Sequence, residues 1–502
     1  MKKSITGREM ISSQMRDQVL KYASLSIILA GVVLRLNQFA ANRSLWLDEA
    51  MLAMNIVKRP FLDLLGPLDY VQAAPPGFLL VQKLMVTFLG SEDYVLRLFP
   101  LLAALGSLYL MSLISRQCLG RATGLVALGL FSFSDKLVYF ASENKQYSTD
   151  VLFSLLLLYA AMRCLRDDAR AGDYRLLGFL GIVALFFSHP ALFVLAGVSA
   201  GLLFNCIATG GRERRGRLGM MLLAWFACAV LLYFASLRTI AANADRLDYF
   251  RTAFMPWPPW RDLSWYGHIF LRAISYSEGT ASATSLILSL FFTGLLIIGS
   301  FSLFLRGKTV AALFLIPLLA LLAASSLQKY PVTVRHSLFL IPILYLLIAE
   351  AVRHIGIALS RIDPLLSRTC CALIIGSLFI HPAWQGIAGI QNPEMREHIK
   401  PVLAFVQKNK VQGEAIYVYY AAWPAFSFYA PKYGFTEGDI LRGIESRLKP
   451  ERYLQDIERV GGKSSVWLII THTCTWCRVD EEKLLLDSLA KKGTLLNHFE
   501  AP

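Results

Sequence analysis

A chain of 502 residues that is 55% hydrophobic and only 17% charged is too apolar for an ordinary soluble domain, where charged residues make up about 25%. Its formal charge of +15 does not point to nucleic acid, because Lys and Arg gather in the cytoplasmic loops of membrane proteins. Eight cysteines are thinly spread, most of them in or near apolar runs, where a thiol behaves as a small hydrophobe.

The first apolar run, 22–36, follows a basic tail and reads as a retained membrane span rather than a cleaved leader. Further spans are expected at 97–115, 122–135, 150–165, 176–190, 191–208, 218–236, 282–305, 309–327, 337–353 and 370–386, about eleven in all. With Lys2, Lys3, Arg8, Arg16 and Lys21 in the cytoplasm, Arg116/Arg121, Arg163–Arg175, Arg212–Arg217, Arg306/Lys308 and Arg353–Arg368 fall on the same side. The loops between them hold fewer basic residues, so one orientation fits throughout. Residues 77–90 are apolar but short and carry Lys83 in their middle. They read as an interfacial helix inside a long outer loop, 39–96.

Beyond residue 390 the pattern changes. Helices are expected at 394–410, 449–459 and 480–491, with strands at 415–420, 466–471 and 494–499. That alternation predicts a small extracytoplasmic α/β domain over 390–502, appended to a mostly α membrane helix bundle over 1–389.

Chemistry-bearing residues cluster in the outer loops. Asp48 and Glu49 lie just beyond the first span, and read either as a reacting pair or as the acidic first turn of a helix. The second outer loop, Ser142 to Asp150, packs Glu143, Lys145, Tyr147 and Asp150 between two spans; a charge at the mouth of a span has a partner or a task. Arg335 and His336 stand at the outer headgroup level, where an arginine either grips a lipid phosphate with two prongs or snorkels. His189 closes an outer span as a capping or packing residue. Trp257 and Trp260 belong to an aromatic belt or stack on sugar rings. Cys474 and Cys477 form a CxxC read as a structural disulfide or two free thiols. No Walker A loop, GxSxG elbow or HExxH motif is present.

These loops, in this order, resemble the glycosyltransferase-C superfamily, above all protein mannosyltransferases and bacterial aminoarabinose transferases. The resemblance rests on Leu47-Asp48-Glu49-Ala50, Pro75-Pro76, Arg97-Leu-Phe-Pro100, the Leu-Gly turn between Arg116 and Arg121, Ser142-Glu143-Asn144-Lys145-Gln146-Tyr147, Asp150, and Arg335-His336-Ser-Leu338 ahead of Pro342. Lys145 stands where the family more often has Arg. The likeness covers most of residues 22–355.

It implies an inverting transfer of a sugar from a polyprenyl-phosphate donor to a lipid, glycan or protein acceptor at the outer face of a bacterial inner membrane. Asp48 would be the base that takes the acceptor's proton. Lys145, Arg335 and His336 would receive the lipid phosphate as it gains charge. Glu49, Glu143 and Asp150 would support them, and Tyr147, Trp257 and Trp260 would contact sugar or acceptor. No cofactor is required on this reading; a divalent metal between Asp48 and Asp150, as in oligosaccharyltransferases, is the variant it does not adopt. A transporter or flippase shares the topology, but inverted repeats and paired broken helices are missing from the sequence.

Overall fold

The computed structural model describes residues 7–209, 212–234, 238, 244–266, 269, 283–436, 438, 440–446, 451–473 and 480–501. Cys474 and Cys477 lie outside the described residues.

The membrane part is a bundle of long helices. It opens with α1 (Gly7–Ala40), whose end feeds the long loop expected to be the first outer one, holding α2 (Leu47–Lys58) and α3 (Pro76–Leu89). There follow α4 (Asp93–Leu119), α5 (Arg121–Phe133), the short α6 (Asp135–Phe140), α7 (Tyr147–Cys164), α8 (Ala171–Phe187), α9 (Ala191–Thr209) and α10 (Arg212–Leu232). After the six-residue α11 (Ala244–Tyr249) come α12 (Ala283–Arg306), α13 (Lys308–Ser326), α14 (Ile341–Ser360) and α15 (Pro364–Gln391). Among the described residues, 8 helices are long and apolar enough to cross a membrane. The expected spans at 122–135, 150–165 and 176–190 correspond to α5, α7 and α8. They fall short of that standard because α5 and α8 have 13 and 17 residues and α7 opens on the polar turn Tyr147-Ser148-Thr149-Asp150.

Local chemistry explains the joints. Gly120 ends α4 at φ 78° and turns the chain straight into α5, a backbone state that costs glycine nothing. Pro76 starts α3, where its missing N–H would be unpaired anyway. At Gly197 of α9 an added Cβ would come within 2.6 Å of Pro317 of α13, so the absence of a side chain lets these helices meet. Two buried charges in the bundle show how such groups are held. Arg35 donates to the carbonyls of Gly31, Phe131 and Ser132 at 3.0–3.1 Å. Glu350 accepts from Ser302 at 2.6 Å and from Arg353 at 2.6 and 2.8 Å. Such pairing is the condition for keeping a charge at membrane depth.

The C-terminal segment differs in part from expectation. Its first helix is α16 (Ile399–Asn409) and begins later than residue 394, leaving 394–398 as an extended strap. Three short parallel strands follow, β1 (Ala415–Val418), β2 (Ile440–Arg442) and β3 (Val466–Ile469), in the order β2-β1-β3. Helices α17 (Trp423–Tyr429), α18 (Glu451–Glu458) and α19 (Glu481–Ala490) connect and follow them. The strand expected at 494–499 is absent: that stretch has no ladder partner, and Phe499 stacks on Phe405 of α16 at 4.6 Å instead. The third strand is β2, three residues long and too short to show a period-two pattern.

Two apolar cores result. One fills the bundle. The other is shared: Leu45, Ala50, Leu52 and Phe78 of the first outer loop pack with Leu403, Tyr417, Phe426 and Tyr429 of the C-terminal segment. The outer loops and the C-terminal segment therefore form one layer over one end of the bundle.

Candidate active site

The site lies where that layer meets the bundle. Residues 43–49, 142–150, 335–336 and the strap 394–398 supply most of it, with Gln72, Arg97 and His472 from other elements.

Glu49 is the anchor. It is fully buried, and its carboxylate accepts from Arg97 at 2.9 and 2.7 Å and from the backbone N–H of Asn144 at 2.7 Å. Arg97, itself buried, also donates to the carbonyls of Arg43 and Ser44 at 2.6 and 3.0 Å. Arg43 in turn donates to the hydroxyl and carbonyl of Ser142 at 2.7 and 2.9 Å. Burial pushes the Glu49 carboxyl up, but Arg97 and Arg43 outweigh it and hold the group below its ordinary range. Glu49 thus staples the first outer loop to the second and has little capacity left for a sugar hydroxyl. Breaking such a buried pair costs about 3–5 kcal/mol.

That staple presents the neighbouring residue. Adjacent residues at the start of α2 point in different directions, so while Glu49 is sealed inside, the Asp48 side chain keeps 22% of its surface exposed. Asp48 forms an ion pair with Arg335. Lys145, 5% exposed, lies close enough for its charge to act on Asp48, and its ammonium donates to Gln72 at 2.5 Å. Burial pushes the Asp48 carboxyl up; Lys145 and Arg335 overcome this and hold it at about 2. Burial pushes the Lys145 ammonium down, against the pull of Asp48.

The other candidates are distributed unevenly. Glu143 is buried; one oxygen accepts from the Trp46 indole at 3.0 Å, and the other has no partner among the described residues. Burial raises its carboxyl above the ordinary range. Tyr147 is buried and meets His336 edge-on at 6.1 Å. His336 lies among Tyr147, Phe250 and Tyr330, with Nδ1 2.7 Å from the Thr333 hydroxyl, a placement that orients the loop beside Arg335. Asp150 is buried in the first turn of α7, and its Oδ1 has no hydrogen-bond partner among the described residues. Trp257 and Trp260 are 66% and 74% exposed, as residues of an aromatic belt are.

Sequence reasoning missed several contributors. Arg43 and Gln72 belong to no motif, and Asn144 lies inside the Ser142–Tyr147 motif without being singled out. Arg396, Glu397 and His472 come from the C-terminal segment, and the first two fall in a stretch read as an ordinary amphipathic helix. Among the described residues, no group of three His, Cys, Asp or Glu side chains is arranged to hold a metal ion.

Comparison with known proteins agrees with this architecture. Residues 73–236 match the family model described as dolichyl-phosphate-mannose-protein mannosyltransferase. The fold resembles ArnT from Cupriavidus metallidurans in the apo state, at 12% identity and TM-score 0.50 over 85% of this chain and 87% of that one. It equally resembles that protein bound to undecaprenyl phosphate, at 13% identity and TM-score 0.50 over 88% and 89%. The archaeal oligosaccharyltransferase AglB from Archaeoglobus fulgidus, in complex with an inhibitory peptide and a dolichol-phosphate, matches at 10% identity and TM-score 0.50 over 81% of this chain and 63% of its own. No curated protein matches the chain by sequence. The chain is thus a multi-pass membrane protein that shares its fold with these structures, and its residues 73–236 are similar to the protein mannosyltransferase family.

Proposed function

We propose that the protein is an inverting glycosyltransferase that moves a sugar from a polyprenyl-phosphate carrier to an acceptor hydroxyl outside the cytoplasm. The observation that carries this reading is the Asp48–Arg335 ion pair with Lys145 beside it. One carboxylate able to take a proton is paired with a part-exposed cation able to take a phosphate, and a second, buried cation acts on the same carboxylate.

The transfer follows from those charges. The acceptor oxygen attacks the anomeric carbon from the face opposite the phosphate. As the new oxygen–carbon bond forms, the hydroxyl proton passes to an Asp48 oxygen. The carbon–oxygen bond to the phosphate breaks, and its electron pair stays on the phosphate oxygen, which gains one negative charge. Arg335 and Lys145 receive that charge, each donor lowering the barrier by about 3 kcal/mol. A carboxyl held at about 2 is ionised but a weak base. When the donor phosphate engages Arg335 and Lys145, less positive charge remains on Asp48, while burial still disfavours its ionised form. Donor arrival therefore makes Asp48 a stronger base at the moment one is needed. His336 holds the Arg335 loop, Tyr147 and Glu143 shape the wall, and Asp150 supports the second loop from the first turn of α7. The two side-chain cations supply the positive charge at the phosphate, so no resident metal is assigned. Trp257 and Trp260 anchor the protein in the interface and lie along the acceptor's approach.

The same reading gives the topology. If α1, α4, α5, α7, α8, α9, α10, α12, α13, α14 and α15 all cross, residues 39–92, 142–146, 327–340 and the C-terminal segment share one side. The ion pair joining Asp48 to Arg335 requires their loops to share a side. The basic loops mark the opposite side as cytoplasmic, which in a bacterium means an inner-membrane protein with an extracytoplasmic C-terminus. ArnT, solved bound to undecaprenyl phosphate, supports a lipid phosphate of that class as the carrier.

The test is to purify the protein with native lipid and supply radiolabelled polyprenyl-phosphate hexoses and pentoses with envelope extract. Label moving to an acceptor, or slow donor hydrolysis without one, is expected. Donor that neither binds nor turns over across the series, with label instead crossing sealed vesicles, would favour the transporter.

A further inference from the structure

The strap from the C-terminal segment grips the residues leading into Asp48. Lys400 donates to the Asn42 carbonyl at 2.6 Å and to Asp93 at 2.8 Å. His398 Nδ1 accepts from the backbone N–H of Ser44 at 3.1 Å. The Arg396 guanidinium lies over the Trp46 ring at 4.6 Å. These contacts by themselves amount to docking. Glu397 does something more specific. Its Oε2 accepts the backbone N–H of Leu47 at 3.3 Å, and its Oε1 meets His472 Nδ1 at 2.5 Å.

Leu47 is the first residue of α2 and immediately precedes Asp48. The N–H groups of a helix's first turn have no partner within the helix, and a carboxylate there also complements the helix dipole. Trp46 offers no side-chain cap, so the acceptor comes from a segment 350 positions away. His472 fixes the far side of that carboxylate. It follows β3, its ring lies 6.2 Å from the Trp46 ring, and its backbone is held at φ 56°, a left-handed conformation that non-glycine residues keep only where their surroundings enforce it. The bundle thus fixes Glu49 from inside through Arg97, and the C-terminal segment fixes Leu47 from outside through Glu397 and His472. Asp48 lies near the junction of these two constraints.

We propose that Glu397 and His472 form a positioning pair for the transfer step, through which the C-terminal segment sets the placement of Asp48. The pair acts through α2 and touches neither donor nor acceptor. It rests on Asp48 being the base of a transferase. A displacement near 1 Å at a reacting group lowers rate by up to about 10²-fold, and this is the scale on which the pair works.

The experiment measures kcat and donor KM for the full-length protein in native lipid, with Glu397→Ala, His472→Ala, His472→Asn and Asp48→Asn in parallel. Asparagine keeps a donor where Nδ1 stands; alanine does not. Both alanine variants are expected to lose kcat by about tenfold or more with donor KM changed by less than about threefold, and His472→Asn is expected to recover most of the loss. Unchanged kcat in both alanine variants overturns the pair. So does an equal loss in His472→Ala and His472→Asn accompanied by a matching fall in thermal stability, which marks plain docking. Full activity of Asp48→Asn instead refutes the base assignment and removes the pair's purpose with it.

Discussion

Asp48 and Arg335, 287 positions apart in the chain, form an ion pair at one end of the bundle. Their side chains keep 22% and 18% of their surface exposed, whereas the neighbouring Glu49–Arg97 pair keeps 0% and 2%. One carboxylate of the adjacent two is sealed in and saturated; the other is paired with a cation and part-exposed. On the proposed reading a substrate phosphate exchanges with the part-exposed pair and leaves the sealed one untouched.

Arg335 is therefore expected to act on both donor binding and chemistry. Arg335→Gln should raise donor KM and lower kcat/KM by about 10²–10³-fold, the scale of removing one aimed donor. Arg335→Lys should recover only part of this, because an ammonium keeps the charge but loses the two-pronged fork. Steady-state kinetics check it; a Lys variant equal to wild type would contradict the fork.

Glu49 and Arg97 should govern stability more than chemistry. Arg97→Ala leaves the Glu49 carboxylate buried without its main partner and should destabilise the protein by about 3–5 kcal/mol. Glu49→Gln, which retains an acceptor for Asn144, should cost less. Thermal unfolding in detergent, followed by fluorescence-detected size exclusion, ranks the two; the reverse order would mean that the staple is misassigned.

The pH dependence has a defined sign. Asp48 is depressed from 3.8 to about 2 in the folded protein, so its ion pair contributes stability that is fully present above about pH 4 and is lost as pH falls through about 2. The free enzyme should accordingly show no acid limb from Asp48 in kcat/KM above about pH 3. Once the donor phosphate has drawn on Arg335 and Lys145, burial moves Asp48 upward, so the acid limb of kcat should lie at higher pH than that of kcat/KM. Coincident limbs would show that donor binding leaves the base unaltered.

Chelation separates side-chain from metal assistance. With Arg335 and Lys145 taking the phosphate, prolonged EDTA treatment should leave transfer within about twofold of the untreated rate. A loss restored by one divalent ion would assign a metal to the site.

Much of this site was legible in the sequence, and the reason is local. Asp48, Lys145 and Arg335 are charges at the ends of apolar runs, where a side chain is retained only with a partner or a task. Helix α3 was visible as an apolar run too short to span, with Lys83 within it. Less legible were features set by distant contacts. Which of Asp48 and Glu49 turns inward depends on Arg97, 48 positions away from Glu49. Asp150 is buried with one oxygen unpartnered among the described residues, an environment no local pattern announces. Strand β2 is three residues whose pairing with β1 defines it. Nothing in the local pattern of residues 394–410 distinguishes a strap reaching Leu47 from the first turn of an amphipathic helix.

The most direct measurement is sugar transfer from a polyprenyl-phosphate donor by Asp48→Asn beside wild type, each folded by size exclusion and thermal unfolding. Asn preserves shape and a hydrogen-bonding oxygen but cannot hold the acceptor's proton. The account predicts transfer lowered by about 10³-fold or more with donor still bound. Transfer by the folded Asn variant within a few fold of wild type would remove Asp48 from the chemistry and contradict the account.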